Sequence, residues 1–151
     1  MTDYTTLETT AEAGWLTIRL NRPEARNALS AEMVDELLAL LGQTAIDPLI
    51  RGVTLRGNGG TFCAGGDLKG FKSGLQAQSD LAPIEVASRQ AGELFHRINT
   101  LPQVVVILVE GAAMAGGLGM VCAADVVAVT QDAKFALTEV TLGIPPAQIA
   151  P

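Results

Sequence analysis

Apolar and polar residues alternate over Trp15-Leu16-Thr17-Ile18-Arg19-Leu20, the period of a half-buried strand, and Asn21-Arg22-Pro23 ends the run. Helical spacing follows. Met33, Val34, Leu37, Leu38 and Leu41 fall on one helical face behind Ser30, a good N-cap residue. Glu32 lies in the first turn, where the helix dipole favours a carboxylate, and Gly42 is expected to close the helix. Residues 51–56 read as a second strand, and Gly57-Asn58-Gly59-Gly60 as a turn. A further helix is predicted from Pro83, with Ile84, Ala87, Ala91, Leu94 and Ile98 as its apolar stripe and an end before Pro102. The unbroken run from Val104 to Val109 has the look of a strand buried on both faces. Residues 111–124 are small, glycine-rich and partly helix-like, and strands are expected over 126–130 and 134–136. Strands and helices interleave without a linker or a repeat, so residues 1–151 read as one α/β unit.

Composition narrows the function. Hydrophobic residues make up 48% of the 151, as in a globular chain, and charged residues only 17%, which leaves surface for subunit contacts. A net charge of −6 lacks the basic footprint of a nucleic-acid binder, although a small basic cluster could still hold one anionic ligand. Two cysteines and one histidine give neither a disulfide framework nor a zinc spacing, so no metal is expected. The N-terminus has no basic and apolar leader pattern, and no apolar run is long enough to span a bilayer. A cytoplasmic protein is expected.

Two glycine-rich turns carry the candidate chemistry: Ala64-Gly65-Gly66-Asp67 and Ala115-Gly116-Gly117-Leu118-Gly119. Each follows an apolar strand. Glycine lets a ligand approach backbone N–H groups, and those at a helix start lack internal partners and carry partial positive charge. Two such turns brought together would form an oxyanion hole; tight turns and close helix–sheet packing are the more ordinary explanation of the same glycines. No Gly-Lys-Ser/Thr, GxGxxG or GxSxG pattern is present. Glu139 stands between apolar neighbours in Leu137-Thr138-Glu139-Val140, where it reads either as a proton-moving carboxylate or as a solvated turn residue. Asp67 and Asp125 read as caps of a turn and of the glycine-rich helix, and His96 lies off its helix's apolar stripe with no identifiable partner.

Taken in order, several segments resemble the crotonase superfamily, the enoyl-CoA hydratase/isomerase family: Leu20-Asn21-Arg22-Pro23, Arg26-Asn27-Ala28-Leu29-Ser30, Phe62-Cys63-Ala64-Gly65-Gly66-Asp67-Leu68, Gly111-Ala112-Ala113-Met114-Ala115-Gly116-Gly117, Cys122-Ala123-Ala124-Asp125, Ala133-Lys134-Phe135, and Glu139 before Leu142-Gly143-Ile144-Pro145. The resemblance implies a spiral of ββα units that binds substrates as coenzyme A thioesters, needs no separate cofactor, and assembles as a homotrimer or homohexamer. It implies that the N–H groups of Gly66 and Gly116 hold the thioester oxygen and that Glu139 is the catalytic carboxylate. Arg26 would meet the coenzyme A phosphates, where a guanidinium fork suits phosphate oxygens. Ala28, Ala64 and Leu68 would line the adenine and pantetheine path, beside Asp67, and Lys69 would add charge near the phosphates.

Two departures qualify the resemblance. The first of the family's two hydratase glutamates falls on Gly119, so one carboxylate must take a proton from water and return one to the α-carbon, or shuttle a proton along the chain as single-glutamate isomerases do. The ending Leu142-Gly143-Ile144-Pro145-Pro146-Ala147-Gln148-Ile149-Ala150-Pro151 looks like that of hydratases for branched glutaconyl esters, such as methylglutaconyl-CoA and isohexenylglutaconyl-CoA hydratases. Family members also continue for about a hundred more residues, which makes 151 short for the fold and points to a missing C-terminal helical region. The expectation is a hydratase of α,β-unsaturated acyl-CoA; a double-bond isomerase and a truncated, non-catalytic acyl-CoA-binding remnant are the alternatives.

Overall fold

The computed structural model describes residues 3–67, 82–143, 145, 146 and 149, with the backbone alone at 82–84, 87 and 142. Its main sheet runs in the order β1-β2-β3-β4-β6: β1 Leu7–Glu12, β2 Trp15–Leu20, β3 Gly52–Gly57, β4 Val104–Val109 and β6 Val126–Val129. β1 and β2 are antiparallel across a tight turn; every later pairing is parallel. Parallel neighbours need crossovers, and helices α1 (Ala31–Ala45) and α2 (Ala82–Asn99) lie in those between β2 and β3 and between β3 and β4. The short strands β5 (Ala112–Met114) and β7 (Lys134–Ala136) pair separately, and helix α3 (Gly116–Ala123) starts two residues after β5.

The core forms where the inner face of the sheet meets the helices. Leu16, Ile18 and Leu20 of β2, Val53 and Leu55 of β3, and Val105, Ile107 and Val109 of β4 are buried; so are Met33, Leu37 and Leu41 of α1 and Leu94 and Ile98 of α2. Each such side chain stabilises the fold by roughly 1.5–3 kcal/mol relative to an exposed one.

Several expectations are corrected. α1 does not stop at Gly42 but runs to Ala45, because Leu41 and Thr44 extend its buried face and the Thr44 hydroxyl donates to the Leu40 carbonyl at 2.8 Å. Gly42 is an interior residue whose missing side chain faces Arg97 of α2. Leu40 is buried, whereas Leu38 only borders the core. β4 is buried on one face: Val104 is 48% exposed while Val105 is inaccessible. Asp125 does not cap α3, which ends at Ala123 with Ala124 as its C-cap; it pairs with Val105, accepting that residue's N–H at 2.8 Å and donating its own to the Val105 carbonyl at 3.1 Å. β1 and β5 were not anticipated.

Candidate active site

The site is built on the two glycine turns, and backbone hydrogen bonds stitch them together. Cys63 donates to the Ala112 carbonyl at 3.0 Å and accepts from the Met114 N–H at 2.9 Å, forming a parallel bridge with Ala113. The packing is too close for side chains. A Cβ on Gly65 would stand 2.8 Å from that of Ala115, and one on Gly117 would stand 2.7 Å from the Cys63 carbonyl oxygen. Glycine is required here by close approach, and Gly65 also takes φ +94°. Close packing is what brings the two turns to one place.

Leu29 completes the joint. Its N–H donates to the Gly65 carbonyl at 2.7 Å, its carbonyl accepts from the Asp67 N–H at 3.0 Å, and its Cδ1 lies 3.0 Å from where a Gly116 Cβ would stand. Because residues 65 and 67 make both bonds to Leu29, the backbone groups of Gly66 between them face the other way. Gly66 is exposed, and among the described residues no atom beyond its chain neighbours lies within 4 Å of its Cβ position and its N–H has no acceptor. Gly116 is the first residue of α3, where the amide likewise has no acceptor among the described residues. The residue before it, Ala115, is held at φ 47°, ψ −119°, a conformation costly for any residue with a Cβ and typical of functional turns.

β7 tethers the Glu139 segment to the second turn. Met114 pairs with Ala136, and the Ala115 N–H donates to the Ala136 carbonyl at 2.8 Å. Glu139 is three residues further along, within about 10 Å of chain reach. It lies in the short 3-10 helix Thr138–Leu142, which Gly143 closes in a left-handed conformation with its N–H on the Glu139 and Val140 carbonyls. Glu139 is half-buried, and its buried Oε2 accepts no hydrogen bond among the described residues. A buried carboxylate oxygen without a donor carries a desolvation cost, and such orphans concentrate where a reacting group will sit.

The binding candidates divide. Arg26 is exposed, takes φ 51°, and is tied to the first turn by its carbonyl, which accepts the Ala64 N–H at 3.0 Å; its guanidinium has no ion pair among the described residues. Ala28 and Ala64 border the same turn, half-buried. The Asp67 carboxylate pairs with Arg22 at 2.9 Å, and Arg22 also donates to the Ala28 carbonyl at 2.7 Å. Leu68 and Lys69 lie outside the described residues. Sequence reasoning missed Arg22 and Asn27 as organisers. Asn27 is fully buried and donates to the Asn58 and Thr61 carbonyls, while its Oδ1 accepts from the Arg22 N–H. A polar residue at positive φ was the only local sign of it; the Arg22–Asp67 pair spans 45 residues and leaves none. Burial raises the Cys63 thiol to about 12, so it is not a nucleophile. His96 is exposed, as its position off the stripe implied. Among the described residues, no group of three or more His, Cys, Asp or Glu could hold a metal ion, and no helix is long and apolar enough to cross a membrane.

The enoyl-CoA hydratase/isomerase family pattern matches residues 10–150. The chain belongs to this family. Crystallography has supplied close structural relatives: an enoyl-CoA hydratase/isomerase from Marinobacter aquaeolei is 40% identical with a TM-score of 0.89, over 97% of this chain and 56% of its own. Pseudomonas aeruginosa AtuE is 45% identical with a TM-score of 0.91, again over 97% of this chain and 56% of its own. A Thermus thermophilus relative is 40% identical over 126 residues, 82% of this chain and 48% of its own length. The crotonase fold is thereby established for the family member in hand, which spans about half the length of the curated relatives it matches.

Proposed function

We propose that this protein takes part in the hydration of an α,β-unsaturated acyl-CoA thioester, with Gly66 and Gly116 holding the thioester oxygen and Glu139 moving the proton. The observation that carries the reading is the buried, donorless Oε2 of Glu139 in a segment tied to the residue before Gly116, together with two N–H groups that have no acceptor among the described residues. The carboxylate removes a proton from water as the oxygen adds to the β-carbon. The electron pair of the double bond moves to the thioester oxygen, where the two N–H groups stabilise the charge. Protonated Glu139 then returns a proton to the α-carbon, so the net change is addition of one water. Arg26, exposed and without an ion pair among the described residues, is the group assigned to the coenzyme A phosphates, with Ala28, Ala64, Leu68 and Lys69 along the path to it.

The finer reading is a branched glutaconyl ester of the methylglutaconyl or isohexenylglutaconyl type, supported by the sequence around Gly119 and 142–151. Such a substrate brings a carboxylate of its own to a site with one glutamate. That single glutamate also supports isomerisation, in which the same proton is moved along the acyl chain without water. A cytosolic setting belongs to the reading, supported by the two unpaired thiols. The test is Glu139→Gln in the full gene product. Hydration should fall by about 100- to 10,000-fold. Near-normal turnover overturns the assignment, and the product, hydroxyacyl-CoA or a shifted alkene, decides between hydratase and isomerase.

A further inference from the structure

The Gly66 N–H lies at one end of a row of peptide groups, and the Arg22 guanidinium stands at the other. A peptide unit is planar and trans, so its C=O and N–H point in opposite directions and turn together. Gly66 shares its unit with the Gly65 carbonyl, which accepts the Leu29 N–H at 2.7 Å. The Leu29 N–H shares its unit with the Ala28 carbonyl, which accepts Nη1 of Arg22 at 2.7 Å. The row thus runs from the guanidinium through two peptide units to the Gly66 N–H, and each hydrogen bond fixes the tilt of the next unit. Nη2 of Arg22 pairs with the Asp67 carboxylate at 2.9 Å, so one guanidinium grips both sides of the Leu29–Gly66 bridge. Arg22 is itself locked. Buried Asn27 accepts its N–H at 2.9 Å and donates to its carbonyl at 2.9 Å, while Asn27 Nδ2 is anchored on the Asn58 and Thr61 carbonyls. The paired Arg22 and Asp67 side chains are only 22% and 21% exposed, so solvent screens them less than an open surface pair.

We infer that Arg22 is a positioning residue for the oxyanion site: through the Ala28–Leu29 and Gly65–Gly66 peptide units its guanidinium sets the direction of the Gly66 N–H and strengthens it as a donor. This rests on the acyl-thioester reading above. A cation on a carbonyl oxygen draws electron density from the N–H of the same unit, and hydrogen bonds in series polarise one another. The Gly66 N–H is the last donor of the series and the one without an acceptor among the described residues. In the proposed reaction the thioester oxygen carries more negative charge in the transition state than in the bound ester. A better aimed and more polar N–H therefore acts on kcat more than on KM. Arg22 meets no substrate atom in this assignment; the coenzyme A phosphates fall to Arg26.

The experiment compares the full gene product with its Arg22→Met and Arg22→Lys variants. Two quantities are read: kcat and KM on the faster of crotonyl-CoA and methylglutaconyl-CoA, and the absorption maximum of bound 4-dimethylaminocinnamoyl-CoA, whose band moves to the red as its thioester carbonyl is polarised. Arg22→Met is expected to lower kcat by about 10- to 100-fold, with KM within about threefold of the wild type and a smaller red shift of the bound probe. Arg22→Lys keeps a charge but cannot fork to Ala28 and Asp67 together, so it should fall between the two. Arg22→Met decides where it folds, and Arg22→Lys decides where it does not. If the deciding variant keeps kcat within about twofold and the full red shift, Arg22 serves the fold alone and the inference is overturned, with the hydratase reading intact. A fall in kcat with the full red shift retained places the loss away from the Gly66 N–H and overturns it equally. A wild type that turns over neither ester and leaves the probe band unmoved overturns the hydratase reading, and the role of Arg22 with it.

Discussion

Position 119 shows how much one absent side chain can decide. Restoring the glutamate found there in two-carboxylate relatives does not simply add a catalyst, because the first atom of the new side chain would meet the Phe95 ring at 2.6 Å. The ring must swing away, and in the proposed site a second carboxylate beside Glu139 would raise the proton affinity of one of the pair. Gly119→Glu is therefore expected to lower kcat/KM on a branched glutaconyl ester, whatever it gains in helix propensity. A large gain on that ester would show a site that still accommodates the missing group. The sequence shows the departure at Gly119 but not its cause, since Phe95 lies 24 positions away at the edge of the α2 stripe and nothing local ties the two together.

Elements with a strong local period were legible. β2, β4 and β7 have the bounds their alternation or apolar run predicts, and the Ser30 cap is made, its hydroxyl accepting the Met33 N–H at 3.2 Å. What the sequence hid depends on partners distant in the chain. Leu7–Glu12 exposes five of its six residues and forms a strand only because β2 offers an antiparallel edge; β5 exists because β7 pairs with it. The start of β1 is fixed to α1 by Glu36. Its carboxylate accepts the backbone N–H groups of Thr5 at 2.7 Å and Thr6 at 3.0 Å, and the hydroxyls of both. Partial burial pushes its proton affinity up, but these hydrogen bonds outweigh that effect and hold the group below the usual carboxylate value. A lowered folded-state value means the stabilisation is full above the unfolded value and is lost as pH falls through the folded one. Glu36→Gln should accordingly flatten the acid side of the stability curve. Urea unfolding from about pH 6 to about pH 3 checks this, and an unchanged slope would remove Glu36 from the account.

At the scale of the molecule, the sheet is unevenly covered. β6 is bonded to β4 on one side, and among the described residues no strand pairs with its other edge. Val126 is 50% exposed, Val129 53%, Phe135 42% and Val140 67%, so the apolar residues that flank the Glu139 segment face outward. An open edge with apolar side chains favours association. The 151-residue chain by itself is expected to be poorly soluble or to aggregate, and a chain of its relatives' length to form a trimer or hexamer. Light scattering on both separates the outcomes, and a stable, monodisperse monomer of the short chain would contradict the first.

The pairing of β7 with β5 also has a consequence in time. Gly66 and Gly116 both precede Glu139 in the chain, the second by 23 residues, which is about one to five seconds of synthesis at about 5–20 residues per second. The Cys63–Ala113 bridge and the Leu29 joint use only residues that precede Lys134 in the chain, whereas the Ala115 N–H waits for the Ala136 carbonyl. In the proposed site the chain thus joins its two turns before the proposed base is made, and the three-residue ladder of Lys134–Ala136 is the step that fixes Ala115 and brings Glu139 behind it.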